Sequence, residues 1–354
     1  MARNLPAADR PLRTAVLGYG VGGRLFHSPH LAASPGYSLD AVVTRDPGRA
    51  AEVTARYPGT RVLAGAEEVL AEPERYDLVV VTTPNETHVP LALAAIGQGI
   101  PVVVDKPLAA TAAAARELLA AAEAAGVPLT VYQNRRWDGD FLTLRRLLDE
   151  GALGTVHQLE SRFSWWDPTP AAGWKTTTTV ADGGGALFDL GPHLVDQAVQ
   201  LFGPVASWHA ELDVCRPGVV ADDDSFLALT HVSGVRSRLW MSCVTAQAGP
   251  RFRVLGSQGA FTKHHLDPQE EQAIAGVRPD DPRFGVEDET RWGTLGVDGA
   301  TTRVPTERGA HGTFYALLET ALRTGGPVPV DPRDSIAVLE LIEDVHARTG
   351  LAGR

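Results

Sequence analysis

Cysteine and long apolar segments are both scarce in this sequence of 354 residues. Its two cysteines, Cys215 and Cys243, are too few for a disulfide framework and are expected to be reduced thiols. No run of about 18 apolar residues occurs, so no membrane-spanning helix is expected. The first residues lack a continuous apolar segment before Leu17, which indicates no secretory signal. Together these absences predict a cytoplasmic protein.

Positive charge is also in deficit, because the formal net charge is −11. This argues against broad electrostatic binding to nucleic acid or to an anionic membrane, although local positive groups could still hold an anionic cofactor. The sequence also lacks a Gly-x-Ser-x-Gly elbow and a Walker loop. The adjacent His264 and His265 have no cysteine or carboxylate framework beside them, so no metal is expected.

Short apolar runs alternate with helical segments over residues 1–132. The runs that resemble strands cover 13–18, 38–44, 77–82, 101–105 and 127–132, and the helical segments cover 22–34, 47–57, 89–97 and 111–125. Continuous Val, Ile and Leu runs are typical of strands buried on both faces of a parallel sheet. Their alternation with helices predicts an α/β fold with a doubly wound parallel sheet.

The pattern changes after residue 132. Strands are predicted at 155–166, 205–214, 226–232, 235–244 and 251–255, and helices at 141–150, 186–202, 311–323 and 334–348. Because the last four strands follow one another without helices, this part predicts an α/β domain with an open, mostly antiparallel sheet. The polar, proline-containing segment 266–302 is predicted to be a long surface excursion. The second domain is expected to cover 133–330.

A glycine-rich loop follows the first predicted strand and opens a helix: Gly18-Tyr19-Gly20-Val21-Gly22-Gly23. In this context Gly18 permits a tight turn, Gly20 lets the backbone approach a pyrophosphate, and Gly23 permits close packing of helix on strand. The helix N-terminus offers N–H groups and a partial positive charge to phosphates. The loop therefore predicts a Rossmann dinucleotide-binding domain over residues 1–132.

The end of the second strand bears on the choice between NAD and NADP. NAD-binding sites usually place an acid about 20 residues after the glycines, to hold the ribose 2′-hydroxyl. Here Arg45 lies in that place, where it could pair with a 2′-phosphate, and the Thr44 hydroxyl could add one hydrogen bond. The rival acid, Asp46, precedes Pro47 and is expected to cap the next helix. We therefore favour NADP, with NAD as the alternative.

Two further loops follow buried strands at the expected ligand-binding edge of the sheet. The third strand leads into Thr82-Thr83-Pro84-Asn85 and then His88, and the fourth leads into Asp105-Lys106-Pro107. Because ligands bind beyond the carboxyl ends of parallel strands, both loops are expected to face the cofactor. Lys106 is a candidate catalytic group, although a surface lysine is the alternative.

In the second domain, Asp189 and His193 are four residues apart and would share one face of a helix, in which Pro192 could introduce a kink. A structural role for His193 remains the alternative. Several aromatic residues could line a sugar site or could be ordinary packing. They are Trp137, Phe163, Trp165, Trp166 and Trp174, and Arg162 and Lys175 lie in the same stretch.

These motifs, in this order, resemble the glucose–fructose oxidoreductase / inositol dehydrogenase / MocA family over essentially the whole chain. The motifs are Gly18–Gly23, Thr83-Pro84-Asn85-x-x-His88, Asp105-Lys106-Pro107 and Asp189-x-x-x-His193. Longer runs are similar to NADP-dependent scyllo-inositol dehydrogenases. These runs cover residues 23–29, 133–141, 189–197, 249–252 and 266–270.

The resemblance implies a Rossmann domain, a second domain on an open sheet, and a C-terminal helix over 331–354 that returns toward the first domain. It implies a homodimer or homotetramer formed through the open sheet, and a cis peptide bond between Lys106 and Pro107. The family usually has Glu before that lysine, where this chain has the shorter Asp105.

The resemblance also implies a catalytic set of Lys106, Asp189 and His193. His193 would act as the base for a substrate hydroxyl, Lys106 would hydrogen-bond the same oxygen, and Asp189 would orient the substrate or His193. Cofactor contacts come from Gly18, Tyr19, Gly20, Val21, Gly22, Gly23, Thr44, Arg45, Thr82, Thr83, Pro84, Asn85, His88, Asp105, Lys106 and Asn134, and substrate contacts from Lys106, Trp137, Arg162, Trp166, Asp189 and His193.

The expected activity is hydride transfer between a nicotinamide and a secondary alcohol or ketone of a cyclitol or sugar, with scyllo-inositol-like substrates favoured. One alternative is an NADP-dependent sugar or glucoside dehydrogenase, or a biosynthetic ketosugar or aminocyclitol reductase. An alternative of another class is a sensor that binds NAD(P) without catalysis, because the fold alone does not determine function.

Overall fold

The structure of the protein is a computed structural model, and it describes residues 10–170 and 174–350. The described chain forms two compact units. The first contains the residues up to Asn134 together with Gln269–Phe284 and Ala310–Ile336, and the second contains Arg135–Pro268, Gly285–Gly309 and the residues from Ala337 onward. Each unit is made of several segments of the chain, whereas the sequence analysis gave each domain as one continuous range. The domain limits at residues 132 and 330 therefore stay predictions. The return of the last helix toward the first domain also stays a prediction.

The elements up to residue 132 alternate strand and helix. They are β1 (Leu12–Leu17), α1 (Ser28–Ala33), β2 (Tyr37–Val43), α2 (Pro47–Arg56), β3 (Arg61–Leu63), α3 (Ala66–Ala71), β4 (Leu78–Val81), α4 (His88–Gly97), β5 (Val102–Asp105), α5 (Ala112–Ala125) and β6 (Leu129–Tyr132). The six strands pair in parallel in the order β3-β2-β1-β4-β5-β6. This confirms the predicted doubly wound sheet and adds β3 and α3, which the sequence analysis missed.

Local signals explain where these helices begin and end. The Thr111 hydroxyl accepts a hydrogen bond from the backbone of Ala114 and caps α5, which ends at Gly126 in the left-handed conformation with φ of 65°. Asp46 caps α2 by accepting the backbone N–H of Arg49 at 2.9 Å. The cap at Asp46 confirms the prediction made from its position before Pro47.

The remaining elements build a different kind of sheet. They are α6 (Gly139–Asp149), β7 (Val156–Ser164), α7 (Trp174–Thr177), α8 (Ala186–Phe202), β8 (Val205–Asp213), β9 (Asp224–His231), β10 (Arg236–Ser242), β11 (Phe252–Gly256), β12 (Gly259–Lys263), α9 (Gln269–Ile274), β13 (Gly293–Val297), β14 (Ala300–Val304), α10 (Gly312–Thr324) and α11 (Pro332–Thr349). Eight strands pair in the order β14-β13-β12-β11-β7-β10-β9-β8. Only β7 and β10 pair in parallel. The predicted open, mostly antiparallel sheet is confirmed.

The two faces of this sheet differ in what covers them. Helix α8 packs against β7, β9 and β10, and the buried Phe163 on β7 contacts His193 on α8. Side chains alternate along a strand, so Glu160 and Arg162 lie on the other face. That open face carries exposed groups, including His209 and Glu211 with side chains 69% and 67% exposed.

The prediction of a surface excursion at 266–302 is wrong for much of that segment. It contains α9 and the β13–β14 hairpin, and several of its polar side chains are buried. The Asp267 carboxylate accepts the backbone N–H of Gly139 at 2.7 Å, and Lys263 donates to the Glu287 carboxylate at 2.8 Å. The polar composition suggested exposure. These polar groups can be buried because other parts of the chain supply their hydrogen-bond partners.

Two further observations concern membranes and thiols. In the part of the chain that the structure describes, no helix combines the length and the apolar character needed to cross a bilayer. Cys215 is exposed, Cys243 is half-buried, and both are free.

Candidate cofactor and active site

The glycine loop connects β1 to a helix that opens with a π turn over Gly22–His27. Gly18 has a φ of 105°, and a Cβ there would lie 2.7 Å from the Thr82 carbonyl oxygen. A Cβ on Gly23 would meet the carbonyl oxygen of Gly18, and a Cβ on Gly22 would meet side-chain oxygens of Thr82 and Asp105. These three glycines are therefore required by the protein's own packing.

Gly20 differs from its neighbours in the loop. A Cβ on Gly20 would have no described protein atom within 4 Å, so its surroundings are open. The loop also lies at the carboxyl ends of neighbouring parallel strands, where doubly wound sheets bind their ligands. Close packing at three glycines and open space at the fourth fit a loop whose backbone approaches a pyrophosphate, as the dinucleotide prediction requires.

The segment Asp105-Lys106-Pro107 lies beside this loop. The peptide bond between Lys106 and Pro107 is cis, as the resemblance implied. Asp105 accepts the backbone N–H of Lys106 at 2.9 Å through Oδ1 and the Thr82 hydroxyl at 3.3 Å through Oδ2. Burial alone would raise the pKa of Asp105, but the nearby His27 and the positive charge of Lys106 bring that pKa below its usual value. Asp105 is therefore an anion at neutral pH.

The loop after β4 is fixed by His88. Its ring is buried, and Nδ1 and Nε2 lie 2.8 Å from the carbonyl oxygens of Pro107 and Thr83, respectively. The ring therefore ties together the loops after β4 and β5. Asn85 begins a short 3₁₀ turn that leads into α4. Thr82, Thr83, Pro84, Asn85, His88 and Asp105 are thus brought together at the edge of one sheet.

The end of β2 contributes the other part of the expected cofactor site. Arg45 is exposed, and its Nε donates to the carbonyl oxygen of Ala64 at 3.3 Å. The Thr44 hydroxyl accepts the backbone N–H of Asp46 at 3.3 Å. Asp46 is also exposed, but its carboxylate is engaged as the cap of α2, and the cation at this position is the guanidinium of Arg45.

In the second unit, α8 brings Asp189 and His193 onto one helical face. Its first turn is anchored by Asp222, whose carboxylate accepts the backbone N–H of Leu187 at 2.7 Å and the Ser225 hydroxyl at 2.6 Å. Asp189 is half-buried and His193 is buried, with Pro192 inside the helix between them. The placement of both residues on one helical face, expected from their spacing, is therefore confirmed.

A buried arginine fixes the same helix one turn farther on. Arg251 is 2% exposed and donates to Gln197 on α8 at 2.7 Å and to Ser161 on β7 at 2.5 Å. Its guanidinium also lies 3.3 Å from the Asp140 carboxylate and 4.3 Å from the centre of the Phe163 ring. Burial lowers the pKa of Arg251 to about 10 and raises the pKa of Asp140 to about 7. Because Phe163 also contacts His193, this cluster supports the position of the histidine.

The structure does not bring all expected substrate residues together. Arg162 lies on the open face of the eight-stranded sheet, where its guanidinium stacks on Trp240 at 3.8 Å and pairs with Glu160 at 2.9 Å. His193 lies against the opposite face. Trp137 is half-buried in a 3₁₀ turn that begins at the buried Asn134. The exposed pair Trp165 and Trp166 follows β7, while the side chains of Trp174 and Lys175 lie outside the described residues.

Sequence reasoning missed two residues near the cofactor edge, His27 and Tyr315. The His27 ring is fully buried, its Nε2 lies 3.7 Å from the Asp105 carboxylate, and its Nδ1 lies 2.6 Å from the Tyr315 hydroxyl. His27 lies in the run over residues 23–29 that supported the resemblance, which was the available signal. Tyr315 is 288 residues away from His27, and no local pattern points to it.

Comparison with known proteins assigns both parts of the chain to one family. Residues 12–133 match the oxidoreductase family with an NAD-binding Rossmann fold, and residues 141–262 match the GFO/IDH/MocA C-terminal domain. These two matches cover the glycine loop, Lys106, Asp189, His193 and Arg251.

Relatives match along nearly the whole chain. The uncharacterized oxidoreductase YdgJ of Escherichia coli is 38% identical over 94% of both chains, and the scyllo-inositol 2-dehydrogenase (NADP(+)) IolW of Bacillus subtilis is 32% identical over 94% of this chain and 92% of its own. Among solved structures, the oxidoreductase yvaA of Bacillus subtilis superposes with a TM-score of 0.91 at 30% identity over 98% of both chains. The YPO2259 oxidoreductase of Yersinia pestis gives 0.87 at 37% identity over 97% of this chain and 96% of its own. This chain belongs to the GFO/IDH/MocA family and is an NAD(P)-dependent dehydrogenase.

Proposed function

We propose that this protein transfers a hydride between NADP and a secondary alcohol or ketone of a cyclitol, with a scyllo-inositol-like compound as its substrate. The observation that carries the proposal is the packing of Asp105-Lys106 beside the glycine loop. Gly22 has no room for a Cβ because the Asp105 carboxylate lies against it, and Lys106 follows directly. A cationic side chain therefore begins next to the loop that fits a dinucleotide.

The proposed chemistry divides between the cofactor and three side chains. The bound nicotinamide supplies the hydride acceptor or donor. Lys106 stabilises the charge that develops on the substrate oxygen, and His193 removes or returns the hydroxyl proton. Asp189, on the same helical face as His193, orients the substrate or the imidazole. The contact of Phe163 with His193 and the anchoring of α8 by Asp222 support a fixed position for the proton-transfer group.

Two observations support NADP over NAD. The exposed guanidinium at the end of β2 is that of Arg45, and the neighbouring acid is engaged as a helix cap. A planar guanidinium suits the oxygens of a 2′-phosphate, whereas an acid is the usual partner of a ribose 2′-hydroxyl. In addition, the name of the relative IolW specifies NADP.

A cyclitol is favoured because IolW, which matches over nearly the full chain, is a scyllo-inositol dehydrogenase. The inositol 2-dehydrogenase of Acidothermus cellulolyticus is 34% identical over half of this chain. The second candidate is a sugar substrate, in oxidation or in biosynthetic reduction. D-apiose dehydrogenase of Paraburkholderia graminis and an oxidoreductase subunit of UDP-kanosamine synthase from Amycolatopsis mediterranei, 33% and 35% identical over about half of the chain, favour it.

We also propose a cytoplasmic homo-oligomer formed through the open face of the eight-stranded sheet. The two free thiols suit a reducing compartment. The open face carries Phe226 and Trp240, whose rings lie 5.1 Å apart and are half-buried, beside charged groups such as Arg162. Such a mixture of aromatic and arginine side chains is typical of protein interfaces.

The direct test is the change in absorbance at 340 nm when the protein meets NADP or NAD and a panel of inositols, aldoses and glycosides. Turnover with scyllo- or myo-inositol would support the first candidate, and turnover with aldoses or glycosides alone would support the second. Tight NADPH binding without turnover of any polyol would contradict both and would favour a sensor that binds the cofactor without catalysis.

Two substitutions test the catalytic set. Lys106→Met and His193→Ala should each lower kcat by about 100-fold or more, because general acid–base help and oxyanion stabilisation contribute on that scale. The matched control is His264→Ala, which removes an exposed histidine that follows β12 in the second unit and should leave kcat unchanged. A near wild-type kcat in either catalytic variant would overturn the assignment of that residue.

A further inference from the structure

Three side chains of the first unit form a row that starts in its interior and ends beside the glycine loop: Tyr315, His27 and Asp105. The Tyr315 hydroxyl lies 2.6 Å from His27 Nδ1, and His27 Nε2 lies 3.7 Å from Asp105 Oδ2. Tyr315 and His27 are both fully buried, and the Asp105 side chain is 22% exposed. The row therefore leads from the interior of the unit to the carboxylate beside Lys106.

The chemistry at the two ends of the row fixes the tautomer of the imidazole. Burial raises the pKa of Tyr315 well above its usual value, so the phenol keeps its proton and can donate it to Nδ1. At the other end, an ionised carboxylate only accepts hydrogen bonds, so it favours an N–H on Nε2. An imidazole with its proton on Nε2 and its lone pair on Nδ1 satisfies both neighbours, whereas the Nδ1–H tautomer directs the lone pair of Nε2 toward the carboxylate.

The Nε2 atom is the incomplete part of the row. It is buried and makes no hydrogen bond to a described residue, because 3.7 Å is too long for one. A shift of less than about 1 Å by the carboxylate would complete a charge-assisted hydrogen bond of normal length. The buried N–H group at His27 Nε2 is therefore placed to hydrogen-bond the Asp105 carboxylate.

Asp105 contacts both the glycine loop and the Lys106 segment, so its position affects these two parts of the cofactor site. Its Oδ1 accepts the backbone N–H of Lys106, its Oδ2 accepts the Thr82 hydroxyl, and Gly22 packs directly against it. The carboxylate is therefore held inward by the protein, between the glycine loop and the backbone of Lys106, which follows the end of β5. With a side chain one methylene longer, the oxygens could not occupy the same positions without moving these partners.

The helix after β1 is adapted to place His27 in this row. The backbone N–H of Ser28 bonds the carbonyl oxygen of Gly23, five residues back, in the π geometry. This wider turn rotates His27 relative to an α-helical course. Its ring then packs 4.2 Å from the ring of Tyr132, whose hydroxyl donates to the carbonyl oxygen of Phe26.

We propose that Tyr315 and His27 are positioning residues, which hold the Asp105 carboxylate inward so that the Lys106 segment and the glycine loop keep the geometry needed for hydride transfer. This role rests on the proposed function, because Lys106 matters only where a nicotinamide and an alcohol react. The row itself is a property of the folded chain and can be observed without cofactor or substrate.

The first experiment determines the tautomer of His27 in the full-length protein. The chain has 11 histidines, and ¹⁵N-histidine labelling with a His27→Gln variant assigns the signal of His27. Nitrogen shifts in the cofactor-free protein should show the proton on Nε2. Tyr315→Phe removes the donor to Nδ1 and should shift the Nδ1 resonance. The Nδ1–H tautomer in the wild type, or an unchanged Nδ1 shift in the variant, would overturn the proposal.

The second experiment separates positioning from simple stability. Tyr315→Phe should lower kcat by about tenfold while the KM for the alcohol changes little, because small misplacements of catalytic groups are costly. The matched control is Tyr37→Phe, which removes a buried hydroxyl that donates to the Tyr315 carbonyl oxygen at 2.8 Å. Both variants should lower Tm by a similar few degrees, but Tyr37→Phe should keep wild-type kcat. Equal losses of kcat in the two variants would show that stability alone is at work.

A conservative exchange at His27 provides the rescue. His27→Gln keeps an N–H group that can reach the Asp105 carboxylate, whereas His27→Leu fills the site without a donor. Gln should restore most of the kcat that Leu loses, and equal activities would contradict the positioning role. If no polyol is turned over by the wild type, the proposed function fails, while the tautomer of His27 and the effect of Tyr315→Phe on it still test the row.

Discussion

Arg45 and Asp46 are adjacent at the end of β2, but their side chains have different roles. Asp46 accepts the backbone N–H of Arg49 and begins α2, so its charge belongs to a helix N-terminus. Arg45 extends into solvent with one hydrogen bond to a carbonyl oxygen. The Asp46 carboxylate, whose distance from the glycines would suit a ribose ligand, instead caps a helix. The Arg45 guanidinium is the group that a cofactor phosphate could contact.

Replacing Arg45 with aspartate tests cofactor choice at the scale of one residue. Arg45→Asp should raise the KM for NADPH by about tenfold or more, the value of a charge-assisted hydrogen bond, and should leave or lower the KM for NADH. Steady-state kinetics with both cofactors measures the change. Arg75→Asp, at another exposed arginine of the same unit, is the control and should keep the wild-type preference. If the ratio of the KM for NADPH to the KM for NADH is unchanged in Arg45→Asp, Arg45 does not determine the choice of cofactor.

The loop and π turn after β1 act as one element with two kinds of glycine. Gly22 faces Thr82 and Asp105, so the protein itself requires its small size. Gly20 faces open space, so only a ligand would require it. Neither has a positive φ, so backbone strain does not complicate an exchange to alanine.

This difference predicts opposite results for two alanine variants. Gly22→Ala should lower the Tm of the cofactor-free protein, because its Cβ would displace the Thr82 hydroxyl or the Asp105 carboxylate, and should also weaken NADPH binding. Gly20→Ala should leave that Tm unchanged or slightly raised, because alanine restricts the unfolded chain, and should weaken NADPH binding alone. Thermal unfolding with and without NADPH measures both effects. Destabilisation by Gly20→Ala without cofactor would show that this glycine serves packing.

Elements of the first unit were predictable where apolar runs are continuous. The buried Val and Leu residues of β1 and β4 gave clear strands, and the predicted helical segment 111–125 nearly coincides with α5. Strand β3 has only three residues, too few to show a period. Asp298-Gly299 between β13 and β14 is a known hairpin signal that the analysis of 266–302 overlooked. The burial of Asp267 and Glu287 could not be foreseen, because the partner of Asp267 lies 128 residues away and no local pattern links Glu287 to Lys263.

The same limit applies to the site. Gly18, Lys106, Asp189 and His193 belong to motifs with fixed spacing, so the sequence identified them as candidates. The row of Tyr315, His27 and Asp105 depends on a contact across 288 residues and on a π turn that no local pattern announces. Residues that touch a ligand tend to lie in recognisable motifs, whereas those that hold them in place are found through packing.

At the scale of the molecule, the open face of the eight-stranded sheet is a surface that the proposed catalysis does not use. Strands of this number and length, at about 4.8 Å spacing and about 3.3 Å per residue, present a face of roughly 800 Å². A stable interface buries about that area on each partner. The face combines the half-buried rings of Phe226 and Trp240 with Arg162, Glu160 and Arg253, and the Arg253 side chain is 49% exposed. Its size and composition suit association with a second copy of the chain.

Replacing Trp240 with glutamate tests this association in solution. The wild type should elute at a multiple of its subunit mass in size-exclusion chromatography with light scattering. Trp240→Glu should reduce that mass, because it removes a large ring from the centre of the face and because a carboxylate there, even beside Arg162, must lose its hydration in an interface. The matched control is Trp208→Glu on β8, since the Trp208 ring Nε1 donates to Asp344 of α11 on the other side of the sheet. That variant should keep the wild-type mass even if its Tm falls.

A monomeric wild type, or an unchanged mass for Trp240→Glu, would contradict assembly through this face. A monomer that retains turnover would show that each subunit carries a complete active site.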